Sequence, residues 1–439
     1  MKNKLVLLPR QIRRFVVALP LGLVILFCFP SLVAARIVID ITSAELRKVP
    51  MAVPYFVDKD NPDEMTIIGK EMAATLTKSL VFHGFITVIS PETYGGGQKN
   101  DWRELDLDFT VLGNFKVEGD EMTVECRLVD NSSGGMILGR RYRGRVEKQR
   151  EMILKYCDEV INTITGEPGI SRTRIAFVSD KSGLKEIYLT DIFGDELRQV
   201  TNHKKLAVSP RFSPDGRLLS YTSYHRGNPN LYVTDLTQGK TTTAISRRQG
   251  LNMAPDWSPD GKTLAVTLSP DGNPDLYLIN TKGDIIDRLT NKEGLNVSPS
   301  WSPDGSRLAF VSDRSGTPQI YIMELKNKTV RRITYLGNYN STPSWSPQGD
   351  LIAYSGNYEN MYHIYVISPE GGRPTRLTKF WGDHESPSWS PDGRQIVFSR
   401  KRKDDQQICA IFRNGEGFRI LFDWDGQESF PQWSPRLEE

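Results

Sequence analysis

The sequence predicts a two-domain protein, in which a small mixed α/β domain is followed by an all-β six-bladed propeller closed by the C-terminal strand. Three observations predict this fold class. A strand-rich unit recurs six times, the region before it mixes helix and strand patterns, and the repeat region begins and ends with an incomplete unit. The chain of 439 residues is also longer than a single hydrophobic core usually fills.

Each repeated unit contains a proline two residues before an aromatic residue, and most copies have a Ser-Pro-Asp-Gly run directly after it. The aromatic residues recur every 44 or 45 positions, at Phe212, Trp257, Trp301, Trp345, Trp389 and Trp433. Proline presets φ in a turn, aspartate bonds to the local backbone and glycine accepts positive φ. The run therefore predicts a hairpin turn.

Each unit predicts four short strands, of which the first ends at the aromatic residue. In one copy the second strand covers residues 308–312, the third is centred on Tyr321 and the fourth lies at residues 332–334. Six second strands are predicted, beginning at Ile175, Leu218, Leu264, Leu308, Ile352 and Ile396. Four strands in about 44 residues are typical of a propeller blade, because such a small sheet buries its faces only against neighbouring blades.

The two ends of the repeat region are predicted to complete one blade together. Ile175 has no proline-aromatic strand before it, and Trp433 has no second strand after it. Pairing between the C-terminal strand and the strands of residues 172–203 would remove the exposed sheet edges of an open array. An open solenoid is the alternative, although solenoids usually end in atypical capping repeats.

The region before the repeats predicts the α/β domain over residues 36–165. Helices are expected at residues 63–83 and 148–164, with strands at residues 85–89 and near 108–115, 122–129 and 136–143. Residues 166–171 are the predicted linker and residues 172–436 the predicted propeller.

Residues 1–35 predict a secretory signal peptide, since basic residues precede an apolar run and Ala35 provides a small residue for cleavage. A retained membrane anchor is the alternative, for which the apolar run is short. Bulky Phe27 before Cys28 argues against a lipoprotein. Removing the five basic residues of this segment changes the formal charge from +3 to −2, which argues against a nucleic-acid partner.

No catalytic site, metal site or cofactor is predicted. The remaining cysteines, Cys126, Cys157 and Cys409, match no metal or redox spacing and are expected to be buried thiols, with a disulfide between the first two as an open alternative. The chain has no Gly-x-Ser-x-Gly motif and no His-x-x-x-His spacing. Residues 423–428 resemble a calcium loop but are too few, so a turn is expected.

The candidate functional residues are the segments directly before each proline-aromatic strand, which are expected to be loops around one mouth of the channel. Their residues differ between copies while the framework is constant, as expected of a binding surface on a rigid scaffold. Solvated turns without a binding role are the alternative. The candidates are Leu251, Asn252, Met253, Ala254, Asn296, Val297, Ser298, Asn340, Ser341, Thr342, His384, Glu385, Ser386, Glu428 and Ser429.

The combination of these repeats with a signal peptide, a small α/β domain and a characteristic start of the mature chain resembles the TolB family over the full length. That start consists of Arg36, Ile37, Val38, Ile39 and Asp40. The repeat alone also occurs in propellers of serine peptidases, whereas this domain order is specific. Phe212 in place of tryptophan and Gln348 in place of aspartate are small departures from the family pattern.

The resemblance implies a periplasmic adaptor of the Tol–Pal system that is not an enzyme and that supports outer-membrane integrity and cell division. It implies that the lipoprotein Pal binds the channel mouth, especially Met253, Ala254, Val297 and Ser298, and that TolA binds residues 36–40. The apolar residues Leu251 and Val297 suggest that details of the Pal contact differ. A propeller-based hydrolase or glycan-binding protein using His384 and Glu385, and a scaffold without a specific partner, are the alternatives.

Overall fold

The computed structural model describes residues 48–98, 102–237 and 241–437. The predicted signal peptide and the predicted TolA-binding residues 36–40 lie outside these ranges. Within them, no helix combines the length and the apolar character that crossing a membrane requires.

The N-terminal region contains a six-stranded mixed sheet and two helices. The strands are β1 (Val49–Ala52), β2 (Val57–Asp58), β3 (Ile86–Ile89), β4 (Phe109–Glu118), β5 (Glu121–Asp130) and β6 (Gly135–Arg145), and the helices are α1 (Ile67–Phe82) and α2 (Gln149–Thr165). Short 3-10 turns occupy Pro91–Tyr94, Arg103–Leu105 and Val146–Lys148. The sheet order is β3-β1-β4-β5-β6, with β2 also paired to β4. Strand β1 pairs in parallel with β3 and β4, whereas β4, β5 and β6 form an antiparallel meander.

Helix α1 begins four residues later than predicted, because Thr66 has an extended backbone and caps the helix. Its Oγ1 accepts a hydrogen bond of 3.1 Å from the Gly69 backbone N–H. Both helices pack on the sheet around one core, to which α2 contributes Ile153, Tyr156 and Val160.

The repeats form sheets of four strands each, which are the blades of the propeller. Blade 6 supplies β7 (Arg174–Ser179), β8 (Glu186–Asp191) and β9 (Arg198–Gln199), and blade 1 contains β10 (Ala207–Phe212), β11 (Leu218–Ser223), β12 (Asn230–Asp235) and β13 (Thr242–Ser246). Blade 2 contains β14 (Asn252–Trp257), β15 (Thr263–Leu268), β16 (Asp275–Asn280) and β17 (Ile285–Arg288), and blade 3 contains β18 (Asn296–Trp301), β19 (Arg307–Ser312), β20 (Gln319–Glu324) and β21 (Thr329–Arg332). Blade 4 contains β22 (Tyr339–Trp345), β23 (Ile352–Tyr358), β24 (Met361–Ile367) and β25 (Thr375–Arg376), and blade 5 contains β26 (Asp383–Trp389), β27 (Gln395–Arg402), β28 (Asp405–Phe412) and β29 (Arg419–Phe422). The last strand, β30 (Ser429–Trp433), completes blade 6.

Strand β30 closes the ring by pairing antiparallel with β7, where Trp433 lies opposite Ile175. This pairing confirms the predicted closure and the six-bladed propeller, and it excludes the open solenoid.

The fourth strand of the blade is predicted too late in the chain. It covers Thr329–Arg332, so Ile333 and Thr334 lie beyond its end. The chain leaves the sheet there because the Thr334 hydroxyl accepts a hydrogen bond from the Ile320 N–H and donates one to Gln319.

The predicted hairpin turn is confirmed in each Ser-Pro-Asp-Gly run. In blade 3, the Ser302 N–H donates to the Arg307 carbonyl at 2.9 Å, the Ser302 hydroxyl donates to Asp304 Oδ1 at 2.6 Å, and Gly305 has a φ of +71°. Serine and aspartate together hold the chain reversal, and glycine supplies the left-handed conformation that the turn needs.

The front face of the ring is the face at which the inner strands β10, β14, β18, β22, β26 and β30 begin, and the turn face carries the Ser-Pro-Asp-Gly turns. The α/β region contacts the turn face. Lys78 forms an ion pair of 3.0 Å with Asp195, and the Gln395 amide donates a hydrogen bond of 3.1 Å to the Phe82 carbonyl. The α/β region and the candidate residues of the inner strands therefore lie on opposite faces of the ring.

Candidate functional site

The segments predicted as loops are instead the first residues of the inner strands. Strands β14 and β18 begin at Asn252 and Asn296, β22 includes the candidates of blade 4, and β26 includes those of blade 5. Only Leu251 and Glu428 lie just outside a strand. Each inner strand continues to the front face because a register shift absorbs one extra residue. In blade 2 this shift lies between Met253 and Asp256, and the other blades have an equivalent shift.

This shift is a β-bulge that recurs in every inner strand. One residue in each bulge has a left-handed backbone conformation and is not glycine. Its φ lies between +49° and +57° in the six copies, which are Ser209, Ala254, Ser298, Thr342, Ser386 and Phe430. Positive φ is uncommon for such residues, and bulges often occur where a strand must re-aim side chains. The six blades therefore hold this bulge residue in one shared backbone conformation, while its side chain varies from blade to blade.

Apart from Leu251, the first candidate residue of each blade belongs to the scaffold. Asn252, Asn296 and Asn340 are at most 1% exposed. The Asn296 amide donates to Asp275 Oδ1 and the Gly294 carbonyl, both at 3.0 Å, and its oxygen accepts from Arg314. A buried amide with these partners is not available to a protein that docks on the front face.

These asparagines are part of a repeated polar contact between neighbouring blades, which we call the blade junction. It combines a polar residue near the start of a third strand, a hydroxyl near the fourth strand and an asparagine near the start of the next inner strand. In the junction of blades 3 and 4, Gln319 Oε1 accepts from both Thr334 Oγ1 and Asn340 Nδ2 at 2.8 Å. Sequence analysis missed this network, although its signal is present as a polar residue at the start of each third strand: Glu186, Asn230, Asp275, Gln319, His363 and Gln407.

His384 occupies the same position at the junction of blades 4 and 5. It is fully buried, and its ring stacks on His363 with the centroids 5.8 Å apart. Burial lowers the pKa of His384 to about 3 and the pKa of His363 to about 4. Both rings are therefore neutral near pH 7, and His384 is enclosed by protein.

Glu428 is the corresponding residue at the junction of blades 5 and 6. It is fully buried, and its Oε1 accepts a hydrogen bond of 3.4 Å from the Ser179 hydroxyl. Burial raises the pKa of Glu428 to about 8, and the nearby Asp423 and Asp180 add to the shift. The carboxyl is therefore largely protonated at neutral pH.

Residues 423–428, considered above as a calcium loop, form a bend tied to neighbouring strands. Asp423 accepts a hydrogen bond of 2.8 Å from the Gln407 amide, and the Gln427 N–H donates to Asp180 Oδ1 at 2.8 Å. Across the described ranges, no group of three or more His, Cys, Asp or Glu side chains has an arrangement that could hold a metal ion.

The second and third candidate residues remain partly accessible at the front face, except for the buried Ser429. They are Met253, Ala254, Val297, Ser298, Ser341, Thr342, Glu385 and Ser386, to which Phe430 is added. Burial, followed by the charge of Asp383, raises the pKa of Glu385. The structure also adds Ser209 of blade 1, which Pro210 marks in the sequence and which the candidate set omits, whereas the neighbouring Val208 is buried.

The opposite mouth of the channel is an opening of about 280 Å³ at the turn face, lined in part by the residue before each aromatic. These side chains connect consecutive inner strands. Asp256 Oδ2 accepts from the Trp301 N–H at 2.8 Å, Ser300 Oγ from the Trp345 N–H at 3.1 Å and Ser388 Oγ from the Trp433 N–H at 3.0 Å. Burial raises the pKa of Asp256 to about 6, although Arg211 and the N–H groups oppose the shift.

The cysteines Cys126, Cys157 and Cys409 are buried and free, as expected, and none forms a disulfide. Burial raises the pKa of the Cys157 and Cys409 thiols to about 12 and also raises that of Cys126. Thiols of this kind are unreactive.

The comparisons with known proteins agree with this architecture. The family model described as "TolB beta propeller domain" matches residues 161–437, and "TolB amino-terminal domain" matches residues 37–137. The Tol-Pal system protein TolB of Desulfotalea psychrophila is 45% identical over 222 residues, which are 51% of each chain. That of Desulfosudis oleivorans is 37% identical over 282 residues, which are 62% of this chain and 64% of the relative. The matched stretch thus spans about half to two thirds of these relatives.

Among solved structures, TolB from Acinetobacter baumannii has a TM-score of 0.77 at 26% identity, covering 89% of this chain and 98% of that one. A TolB-like protein of Agrobacterium tumefaciens has a TM-score of 0.50 at 21% identity, covering 60% and 99%, which supports the fold alone. Because the propeller model matches more than half of its length and the amino-terminal model matches the region before it, this chain belongs to the TolB family, whose curated relatives are proteins of the Tol–Pal system.

Proposed function

We propose that this protein is a periplasmic adaptor of the Tol–Pal system that binds Pal at the front mouth of the propeller and TolA through residues 36–40. In this role it supports outer-membrane integrity and cell division and catalyses no reaction. The names of its relatives support membership of the system. The observation that carries the proposal is the contrast between the recurring bulge and the differing side chains that it presents at the front face.

The position of the α/β region supports a partner at the front face. Its contacts with the ring, such as those of Lys78 with Asp195 and of Phe82 with Gln395, lie at the turn face. A partner at the front mouth would therefore meet the inner strands without displacing this region. A rigid ring with variable residues at one mouth suits protein binding, since little backbone order must be created on association.

The test of Pal binding is co-purification with immobilised Pal after Ala254 and Ser298 are both changed to arginine. Two buried or partly buried cations at the rim should abolish retention, because the interface would have to desolvate them. The matched control places arginine at Thr243 and Ile286, which are exposed on the outer strands β13 and β17 and should leave binding unchanged. Unaltered retention of the first variant would contradict the proposed site.

TolA binding is tested with a mature chain that lacks residues 36–40. This chain should lose TolA in a pull-down and keep Pal, since the two partners are assigned to different parts of the protein. Retention of TolA by the truncated chain would contradict the assignment of the N-terminal residues.

The hydrolase alternative has less support. Its candidate His384 is fully buried and stacked on His363, so a substrate has no direct access to the imidazole. Turnover of a peptide or glycan library by the purified protein, lost on changing His384 or Glu385, would revive that alternative.

A further inference from the structure

A groove of about 640 Å³ lies on blade 4, away from the inner strands that form the channel. Tyrosines and arginines form much of its wall, and no acidic residue lines it. The lining residues are Tyr335, Leu336, Tyr358, Tyr365, Gly372, Arg373, Pro374 and Arg376. The groove lies outside the candidate site described above.

The two arginines of this groove lack carboxylate partners. The Arg376 guanidinium donates a hydrogen bond of 2.7 Å to the Thr378 carbonyl, and Arg373 is exposed; neither forms an ion pair with any residue that the structure describes. The equivalent arginine of blade 2, by contrast, has carboxylate partners. Arg288 makes the same contact with the Thr290 carbonyl, and it also forms ion pairs with Asp271 at 3.1 Å and Asp275 at 2.6 Å.

Two of the three tyrosines are exposed, and Tyr335 is held in place. Tyr335 is 72% exposed, yet the guanidinium of Arg332 lies 4.6 Å from the centroid of its ring and its hydroxyl donates to the Arg332 carbonyl. Tyr358 is 40% exposed at the end of β23, and Leu336 is 46% exposed. Tyrosine and arginine are among the residue types enriched at the energetic centres of protein interfaces.

We propose that this groove binds an acidic peptide segment of a partner protein, in which a carboxylate side chain faces Arg373 and Arg376 and a neighbouring apolar side chain packs on Tyr335 and Tyr358. Charge complementarity selects this occupant, because the groove offers two cations and no anion. Leu336 and Pro374 add an apolar wall that suits a peptide side chain better than a hydrated sugar. The groove shares no lining residue with the inner-strand positions proposed to bind Pal, and the proposal does not depend on that assignment.

The experiment is a binding screen of the mature protein on an array of synthetic peptides that combine aspartate or glutamate with leucine, phenylalanine or tyrosine. Each peptide is paired with the same sequence carrying asparagine or glutamine. The wild-type protein should select acidic peptides, and Arg373→Glu should weaken the best of them about tenfold or more in solution. Tyr335→Ala should also weaken binding, without the same dependence on salt.

The matched control is Lys282→Glu, which makes the same charge change in the corresponding turn of blade 2 and should leave peptide affinity unchanged. Arg373 makes no described side-chain contact, so its variant is expected to fold, and an unchanged melting temperature verifies this. The proposal is overturned if the wild-type protein selects no acidic peptide, if the amide peptides bind equally well, or if acidic glycan fragments bind in a manner sensitive to Arg373 while peptides do not.

Discussion

The indole Nε1 of Trp433 donates a hydrogen bond of 2.8 Å to Thr173 Oγ1, which lies 260 positions earlier in the chain. The backbone N–H of Trp433 also donates to Ser388 Oγ of blade 5 at 3.0 Å. One residue near the C-terminus thus joins the first and last parts of the ring. Closure therefore depends on a side chain as well as on the pairing of β30 with β7.

Removing the Trp433 side chain should destabilise the whole propeller. We expect Trp433→Ala to lower the free energy of unfolding by about 3–5 kcal/mol, because it leaves a cavity and removes the hydrogen bond that the Thr173 hydroxyl accepts. Trp433→Phe keeps most of the packing and should cost less than the alanine change. Urea denaturation checks both, and equal losses for the two variants would contradict a role for aromatic packing.

The blade junctions should tolerate substitution poorly, whereas the rim should tolerate it well. Asn296→Ala leaves Asp275 and Arg314 without an amide partner and should cost about 2–3 kcal/mol of unfolding free energy. Ser298→Ala is the matched control two residues away, because alanine already occupies the equivalent position at Ala254, also at positive φ. Thermal and urea unfolding of the two variants should separate them clearly, and similar losses would contradict the distinction.

Glu428 should make the protein less stable as the pH rises. Its folded pKa of about 8 lies above the usual value of 4.5, so unfolding releases a proton between these pH values. The stabilisation is present below pH 4.5 and is lost as the pH rises through the folded pKa. Glu428→Gln imitates the protonated form, so it should be more stable than the wild type at pH 8 and should show a weaker pH dependence. A parallel pH profile for the two proteins would contradict this.

His384 should make the protein less stable as the pH falls into the acidic range. Its folded pKa of about 3 lies below the usual 6.5, so the unfolded chain binds a proton that the folded chain excludes. The contribution is present above pH 6.5 and is lost as the pH falls toward 3, and His363 adds a similar effect. His384→Asn introduces the residue found at the equivalent position of blades 2, 3 and 4, and it should flatten the acid side of the stability profile. An unchanged acid profile in this variant would argue against the buried neutral imidazole.

Gly84 should control how closely the α/β region approaches blade 5. It has a φ of +86°, and a Cβ atom there would lie 2.0 Å from the Phe412 ring. Gly84→Ala should therefore destabilise the protein by about 2–3 kcal/mol and increase proteolysis at residues 166–171. Gly119→Ala is the control, since it has a φ of +63° but open space around it, and it should show only the smaller backbone effect. Phe412→Ala should partly rescue the first variant, and failure to do so would point to backbone strain alone.

The sequence predicted the architecture because its signals are local and repeated. In each copy, the proline and the aromatic residue mark a strand, and the Ser-Pro-Asp-Gly run after them marks the turn that reverses the chain. Six such copies leave few possible arrangements of the strands in a fold. Strand edges were less predictable. The fourth strand of blade 3 ends at Arg332 because Thr334 is needed at the blade junction, and that contact involves Gln319 and Asn340 from other strands.

For the candidate site, the sequence by itself determined which residues come to the front face, since equivalent positions of a closed repeat must lie at equivalent places in the ring. Only the tertiary structure decided which of them are accessible. Asn296 and His384 are polar residues next to accessible positions, but both are enclosed between adjacent blades. Burial depends on partners about 20 residues or more away in the chain, and the bulge that follows the first two positions arises from pairing between strands. A polar residue near the start of each third strand marks these contacts in the sequence, but only the folded chain shows which partners it meets.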